Sequence, residues 1–169
     1  MIDPLAAVYL AAAIGVIAAN LGSALLVIWM LDRKAARYAL ARKRYHAGGA
    51  PGQARAGFPH ITRYALPALR SGPDRTQARL HALLALMAQL DDTCLLHRGG
   101  PTGLAAVQAG ARAVLRSGGL HTPEGRQRFT DLDRLCAARR LSPGGAGDLL
   151  AAALFLDTLD GRSTAACKL

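Results

Sequence analysis

Two glycine-rich segments carry the residue types from which phosphate chemistry is built. One runs Asp91-Asp92-Thr93-Cys94-Leu95-Leu96-His97-Arg98-Gly99-Gly100, the other Arg139-Arg140-Leu141-Ser142-Pro143-Gly144-Gly145-Ala146-Gly147-Asp148. Each double glycine stands where an apolar helical pattern begins. A helix start offers unpaired N–H groups, and the helix dipole favours negative charge there. Gly99, Gly100, Gly144 and Gly145 are therefore candidates for bringing backbone N–H groups to a phosphate. Arg98 and Arg140 add planar forks that match phosphate oxygens. Asp92 and Asp148 are candidates for holding magnesium beside a polyphosphate, or for acting as a base. Ser142 is a hydrogen-bond donor or a helix cap. The plainer reading gives the aspartates to helix caps and the glycines to tight turns.

Other phosphate and metal chemistries are excluded. No Gly-Lys-Ser/Thr occurs, so neither segment is a Walker A loop, and no strand precedes them to make a dinucleotide fold. Cys94, Cys136 and Cys167 are odd in number and contain no C-x-x-C pair, which excludes a zinc site and a disulfide framework. They fit a reducing, cytosolic setting. Cys94 and Cys136 read as small core residues.

The elements that must position these residues are helices. Beyond Leu31 the only Val or Ile residues are Ile61, Val107 and Val114, too few for a sheet. Gly48, Gly49, Pro51 and Gly52 mark a break. Phe58, Ile61, Ala65 and Leu69 predict a short helix bent at Pro67. Leu80, Leu83, Leu84, Met87 and Leu90 follow helical spacing after the start signals Ser71, Pro73 and Asp74. Thr102 is expected to cap a helix that carries Leu104, Val107, Ala111 and Val114 and stops at Gly118-Gly119. Thr122-Pro123-Glu124 opens another. A last helix is expected from about Gly145 to Leu159, closed by Gly161. The fold class is all-α: a helical array with short glycine-rich loops.

The first 45 residues differ in composition. No charged side chain occurs from Pro4 to Leu31, and a helix of about 28 residues would be roughly 42 Å long, enough to span a bilayer. Trp29 sits near its end, followed by Arg33, Lys34 and Arg37. The expectation is one transmembrane helix over residues 4–31, with residues 32–169 cytoplasmic by the positive-inside rule; the alternative is a fully buried core helix. Between Asp32 and Arg75 ten basic residues face two acids, a surplus of +8 within a net charge of +10. Directly after an apolar run and without a nucleic-acid motif, this charge points to a lipid surface, with Arg33 to Arg44 a juxtamembrane helix, and away from nucleic acid. The domains are then 1–45, anchor and basic stretch, and 46–169, the helical domain.

The order of motifs resembles one family. Asp92-Thr93 followed by Arg98-Gly99-Gly100, then Ser142-Pro143-Gly144-Gly145-x-x-Asp148-Leu149-Leu150, is similar to the triphosphoribosyl-dephospho-coenzyme A synthases. Gly52 to Phe58, Ala65-Leu66-Pro67, Leu83 to Asp92, Gly103-Leu104, Gln108 and Gly118-Gly119 also fall in place, so the resemblance spans roughly residues 46–160. It implies an all-helical transferase that joins ATP to 3′-dephospho-coenzyme A, for the prosthetic group of malonate decarboxylase or citrate lyase. The 2′-hydroxyl attacks the ribose anomeric carbon of ATP, adenine leaves, and the triphosphate is retained. On this resemblance Asp92 and Asp148 are the catalytic and magnesium candidates, with Thr93, Arg98, Gly99, Gly100, Arg140, Ser142, Gly144 and Gly145 on the nucleotide. Cys94 and His97 lean towards the malonate decarboxylase branch. The family's Thr-His-Lys-Gly half does not occur here, which implies a C-terminal part: a truncated or fused reading frame, or one part of a split enzyme that works with a separate N-terminal half. The alternative function is a non-catalytic, membrane-anchored helical module or a truncated remnant of the enzyme.

Overall fold

The computed structural model describes residues 23, 36–71 and 74–166. Two compact units divide between Ala39 and Leu40. The described residues of the first, Ser23 and 36–39, are helical. The transmembrane helix expected over 4–31 therefore lies outside the described residues except for Ser23. Among the described residues no helix is long and apolar enough to cross a membrane, so the anchor has no support there.

The second unit carries both glycine-rich segments. Its elements are α1 (40–45), α2 (Gly49–Arg55), a π-helical turn (Ile61–Ala65) running into α3 (Leu66–Arg70), α4 (Arg75–Gln89), α5 (Thr93–Arg116), a 3-10 turn (Gly119–His121), α6 (Pro123–Ala138) and α7 (Gly144–Ala166). No strand occurs among the described residues, in keeping with the scarcity of β-branched side chains.

Helix starts follow the side chains that cap them. Asp74 accepts from the N–H of Thr76 at 2.8 Å and of Gln77 at 3.2 Å, opening α4. Thr122 accepts from Gly125 N–H at 2.9 Å, with Pro123 in the first turn of α6. Pro67 has no N–H and crowds the preceding turn; there the ladder widens, and Leu66 N–H reaches back five residues to the Ile61 carbonyl. Each start was expected from the sequence.

Three boundaries differ from expectation. The break expected at Gly48–Gly52 ends at Gly48, because α2 begins at Gly49 and Pro51 falls in its first turn, where a missing N–H costs nothing. The helix expected around Thr102 is present but runs on from an earlier one: α5 is two helices meeting at a kink at Gly100, the first beginning at Thr93 under the Asp92 cap, and the Thr102 hydroxyl donates to the Gly99 carbonyl. Gly161 does not end α7, which continues to Ala166. A single glycine in a helix costs about 1 kcal/mol, too little to stop one alone.

The core forms where α4 and α5 pack together, with α6 against α5 and α7 across α4 and α5. Ile61, Leu84, Leu86, Leu90, Leu95, Val107, Val114 and Leu149 are fully buried, each contributing about 1.5–3 kcal/mol of apolar burial. Gly110 lets α6 approach, since a Cβ there would stand 2.7 Å from Leu132 Cδ1. Arg70 joins α3 to α7 through 2.8 Å ion pairs with Asp157 and Asp160; these are exposed and add little.

Candidate functional site

The site is built on the turn between α4 and α5. Leu90 leaves the helix in an extended conformation, and its carbonyl accepts from Asp92 N–H at 2.9 Å and from Gln108 Nε2 at 3.1 Å. Arg112 Nη1 donates to the Ala88 carbonyl at 2.7 Å. Two side chains of α5 thus satisfy the carbonyls at the end of α4 and fix the turn that presents Asp91 and Asp92.

Asp92 points inward and is 1% exposed. Its Oδ1 accepts from Cys94 N–H at 2.8 Å, at the start of α5. Its Oδ2 accepts from Ala146 N–H at 3.0 Å, at the start of α7. One carboxylate therefore closes two helix N-termini, where the positive ends of both dipoles favour a negative charge. Burial opposes that charge and is the stronger effect, so the carboxyl is raised above its ordinary value; the N–H groups of Ala146, Cys94 and Leu95 pull the other way.

Glycines make this junction possible by what they lack. A Cβ on Gly145 would stand 3.1 Å from Cγ and Oδ1 of Asp92, and one on Gly144 would stand 2.9 Å from Cys94 Sγ. A Cβ on Gly99 would meet Leu141 Cδ2 at 2.5 Å. The two glycine-rich segments therefore touch at three places, through Asp92 on Gly145, Cys94 on Gly144 and Leu141 on Gly99.

Gly99-Gly100 lies where the two helices of α5 meet, at the start of the second. Gly100 has φ 62° and ψ −167° and kinks the helix; that conformation is open essentially only to glycine, and Pro101 excludes the helical alternative. Arg140 follows the end of α6 with φ 50°. Its N–H reaches the Ala137 carbonyl and that of Leu141 the Cys136 carbonyl, at 3.1 and 2.8 Å, the double closure usually made with glycine in the left-handed position.

The remaining candidates sit around this junction. Thr93 is buried, with its side chain 2.9 Å from where a Cβ on Gly49 would stand. Arg98, Arg140 and Asp148 are exposed, and Ser142 is half-buried. The placement of Asp92 is unlike that expected of a magnesium ligand or base: it is buried, and each oxygen already accepts an N–H, so it serves as the shared cap. No group of three or more His, Cys, Asp or Glu suited to a metal occurs among the described residues. Asp148 is exposed just past the first turn of α7.

Tyr45 and His60 were not marked out by any motif in the sequence. Tyr45 places its hydroxyl 3.9 Å from a Cβ position on Gly100. His60 N–H donates to Gln53 Oε1 at 2.9 Å, and its ring meets Tyr64 edge-on with centroids 5.5 Å apart. The one available signal was Gly57-Phe58, a turn whose purpose appears only in three dimensions.

A family model described as ATP:dephospho-CoA triphosphoribosyl transferase, CitG, matches residues 5–166. The chain belongs to this family. The match begins at residue 5 rather than near 46, so the apolar run before Leu31 falls within the family's own sequence. A Pseudomonas paraeruginosa protein named probable 2-(5''-triphosphoribosyl)-3'-dephosphocoenzyme-A synthase is 57% identical over 122 residues, 70% of this chain and 42% of that protein. An Azotobacter vinelandii protein of the same name is 52% identical over 123 residues, again 70% and 42%. A Klebsiella pneumoniae 2-(5''-triphosphoribosyl)-3'-dephosphocoenzyme-A synthase is 49% identical over 125 residues, 72% of this chain and 45% of that protein. The chain thus spans a little over two fifths of the length of these relatives of the transferase family. No solved structure matches it.

Proposed function

We infer that this chain forms the triphosphate-handling part of a transferase that joins ATP to 3′-dephospho-CoA. The product is 2′-(5″-triphosphoribosyl)-3′-dephospho-CoA, with adenine released. Membership of the family supports the reaction class. The observation that carries the site is the junction of the two glycine-rich segments at Asp92, which brings the starts of α5 and α7 side by side.

Arg98 and Arg140 neutralise the triphosphate, whose charge suits two helix N-termini and their arginines. Thr93, Ser142 and the glycines 99, 100, 144 and 145 shape the backbone around it. Asp148 holds the magnesium that accompanies ATP. Asp92 keeps the two helix starts in register and takes no proton from substrate. The rest of the family's length supplies the remainder of the substrate site, and the product serves a malonate decarboxylase, the branch towards which Cys94 and His97 lean.

The test is adenine release by the full chain, with and without a supplied polypeptide covering the remainder of a relative's length. Release only when both ATP and dephospho-CoA are present is the expected result. No release in either mixture, together with no ATP binding, would leave the non-catalytic helical module as the reading.

A further inference from the structure

The reaction needs a group that takes the proton of the attacking hydroxyl, and Asp92 is buried beyond that use. His60 is the strongest remaining titratable group beside the α4–α5 turn. Three independent features set it apart. Phe58, two residues before it, has φ 59° directly after Gly57 at φ 76°; a bulky side chain in the left-handed region is strained, and such strain concentrates at functional sites. The backbone N–H of His60 is pinned to Gln53 Oε1, and its ring is braced by Tyr64. Its Nδ1 is buried with no hydrogen-bond partner.

That last feature separates function from packing. A buried polar nitrogen without a partner costs about 1–3 kcal/mol, which an apolar ring at the same place would not. Asp91, exposed and adjacent to Asp92, places its carboxylate where it favours the protonated ring, while Arg63 on the π-helical turn opposes it. Burial, with Arg63 acting in the same direction, outweighs Asp91 and lowers the imidazole below its ordinary value, which favours the neutral form that can accept a proton.

We propose that His60, assisted by the Asp91 carboxylate, is the general base that receives the proton of the attacking ribose hydroxyl. This rests on the transferase reading given above. With the hydrogen on Nδ1, Nε2 carries the lone pair. The hydroxyl O–H bond breaks and its proton goes to Nε2. The freed oxygen pair forms the bond to the anomeric carbon of the ATP ribose. The bond from that carbon to adenine breaks, its electron pair leaves with adenine, and adenine takes a proton from solvent. Asp91 stabilises the imidazolium until it returns its proton to water.

The experiment compares the full chain with His60→Gln and Asp91→Asn, in the mixture that supports adenine release. His60→Gln is expected to lower the rate roughly 100-fold, the usual size of a lost general base, with ATP binding and helicity unchanged. Asp91→Asn, at an exposed position, is expected to reduce the rate and to move the acid limb of the pH–rate profile to lower pH, as an imidazole loses a favourable carboxylate. In the wild type, the 15N signals of the His60 ring should move when dephospho-CoA alone is added. Release by the wild type with an unchanged rate in His60→Gln overturns the inference and leaves the transferase reading standing. An unmoved His60 ring in a chain that binds dephospho-CoA also overturns it. A wild type that neither binds nor reacts overturns both. If His60→Gln loses helicity, Asp91→Asn decides, and an unmoved acid limb overturns the proposal.

Discussion

Asp92 and Gly145 fit together as group and cradle: the carboxylate of one lies where a side chain on the other would begin, 3.1 Å from that Cβ position. Gly145→Ala must therefore push the carboxylate by a few tenths of an ångström, against two hydrogen bonds that hold it. The expected loss is about 1–3 kcal/mol, the range for overpacking a tight interior. Asp92→Ala removes the acceptor of two N–H groups, one buried and one part-buried, and should cost about as much or more. Urea unfolding measures both. A Gly145→Ala chain as stable as wild type would show that the Asp92 cap is loose.

The same carboxyl predicts a pH dependence of a definite sign. Its folded-state value lies above the ordinary one, chiefly through burial, so the folded state holds the proton more tightly than the unfolded chain. Asp92 thus favours the fold most below the ordinary aspartate value, and this contribution is lost as pH rises through the raised value. Relative to Asp92→Asn, the wild type should become more stable as pH is lowered from neutral towards about 4, the ordinary aspartate range. The comparison with Asp92→Asn removes the opposite trend from Asp74 and Glu124, both held below their ordinary values by hydrogen bonds. A difference independent of pH would refute the raised value.

Arg140 occupies a left-handed position that glycine takes at lower cost. Arg140→Gly should therefore stabilise the fold by about 1 kcal/mol, from relief of backbone strain. If the guanidinium serves the triphosphate, the same change should weaken ATP binding about tenfold, the scale of one charge-assisted contact. Thermal unfolding and equilibrium binding read the two effects separately. Higher stability with unchanged ATP affinity would remove Arg140 from the site.

Not every close glycine is equally demanding. At Gly99 the obstacle is a methyl at the end of Leu141, which can turn aside. At Gly125 it is the backbone carbonyl oxygen of Gly119, only 1.8 Å from a Cβ position. Gly99→Ala should cost about 1 kcal/mol and Gly125→Ala about 3 kcal/mol or more, because backbone cannot repack as a side chain does. Equal losses in denaturant unfolding would contradict this ordering.

Side chains low in β-branching, together with Asp74, Thr122-Pro123 and the apolar spacings, were enough to place most of the helices, since caps and helical faces act over a few residues. The motif order from Asp92 to Asp148 likewise marked out the family and the two segments that matter. What neighbouring residues could not reveal was direction. Whether Asp92 turns towards ligand or towards α7 depends on a glycine 53 positions away and on the N–H of Ala146 beside it. His60 was illegible for the same reason, because its partners Gln53 and Asp91 come from α2 and the α4–α5 turn. The glycines that seemed to offer N–H groups to phosphate were already fixed in number and place by the sequence. Only the packed structure decided that Gly145 and Gly99 first make room for Asp92 and Leu141, since close approach is a property of two elements and never of one.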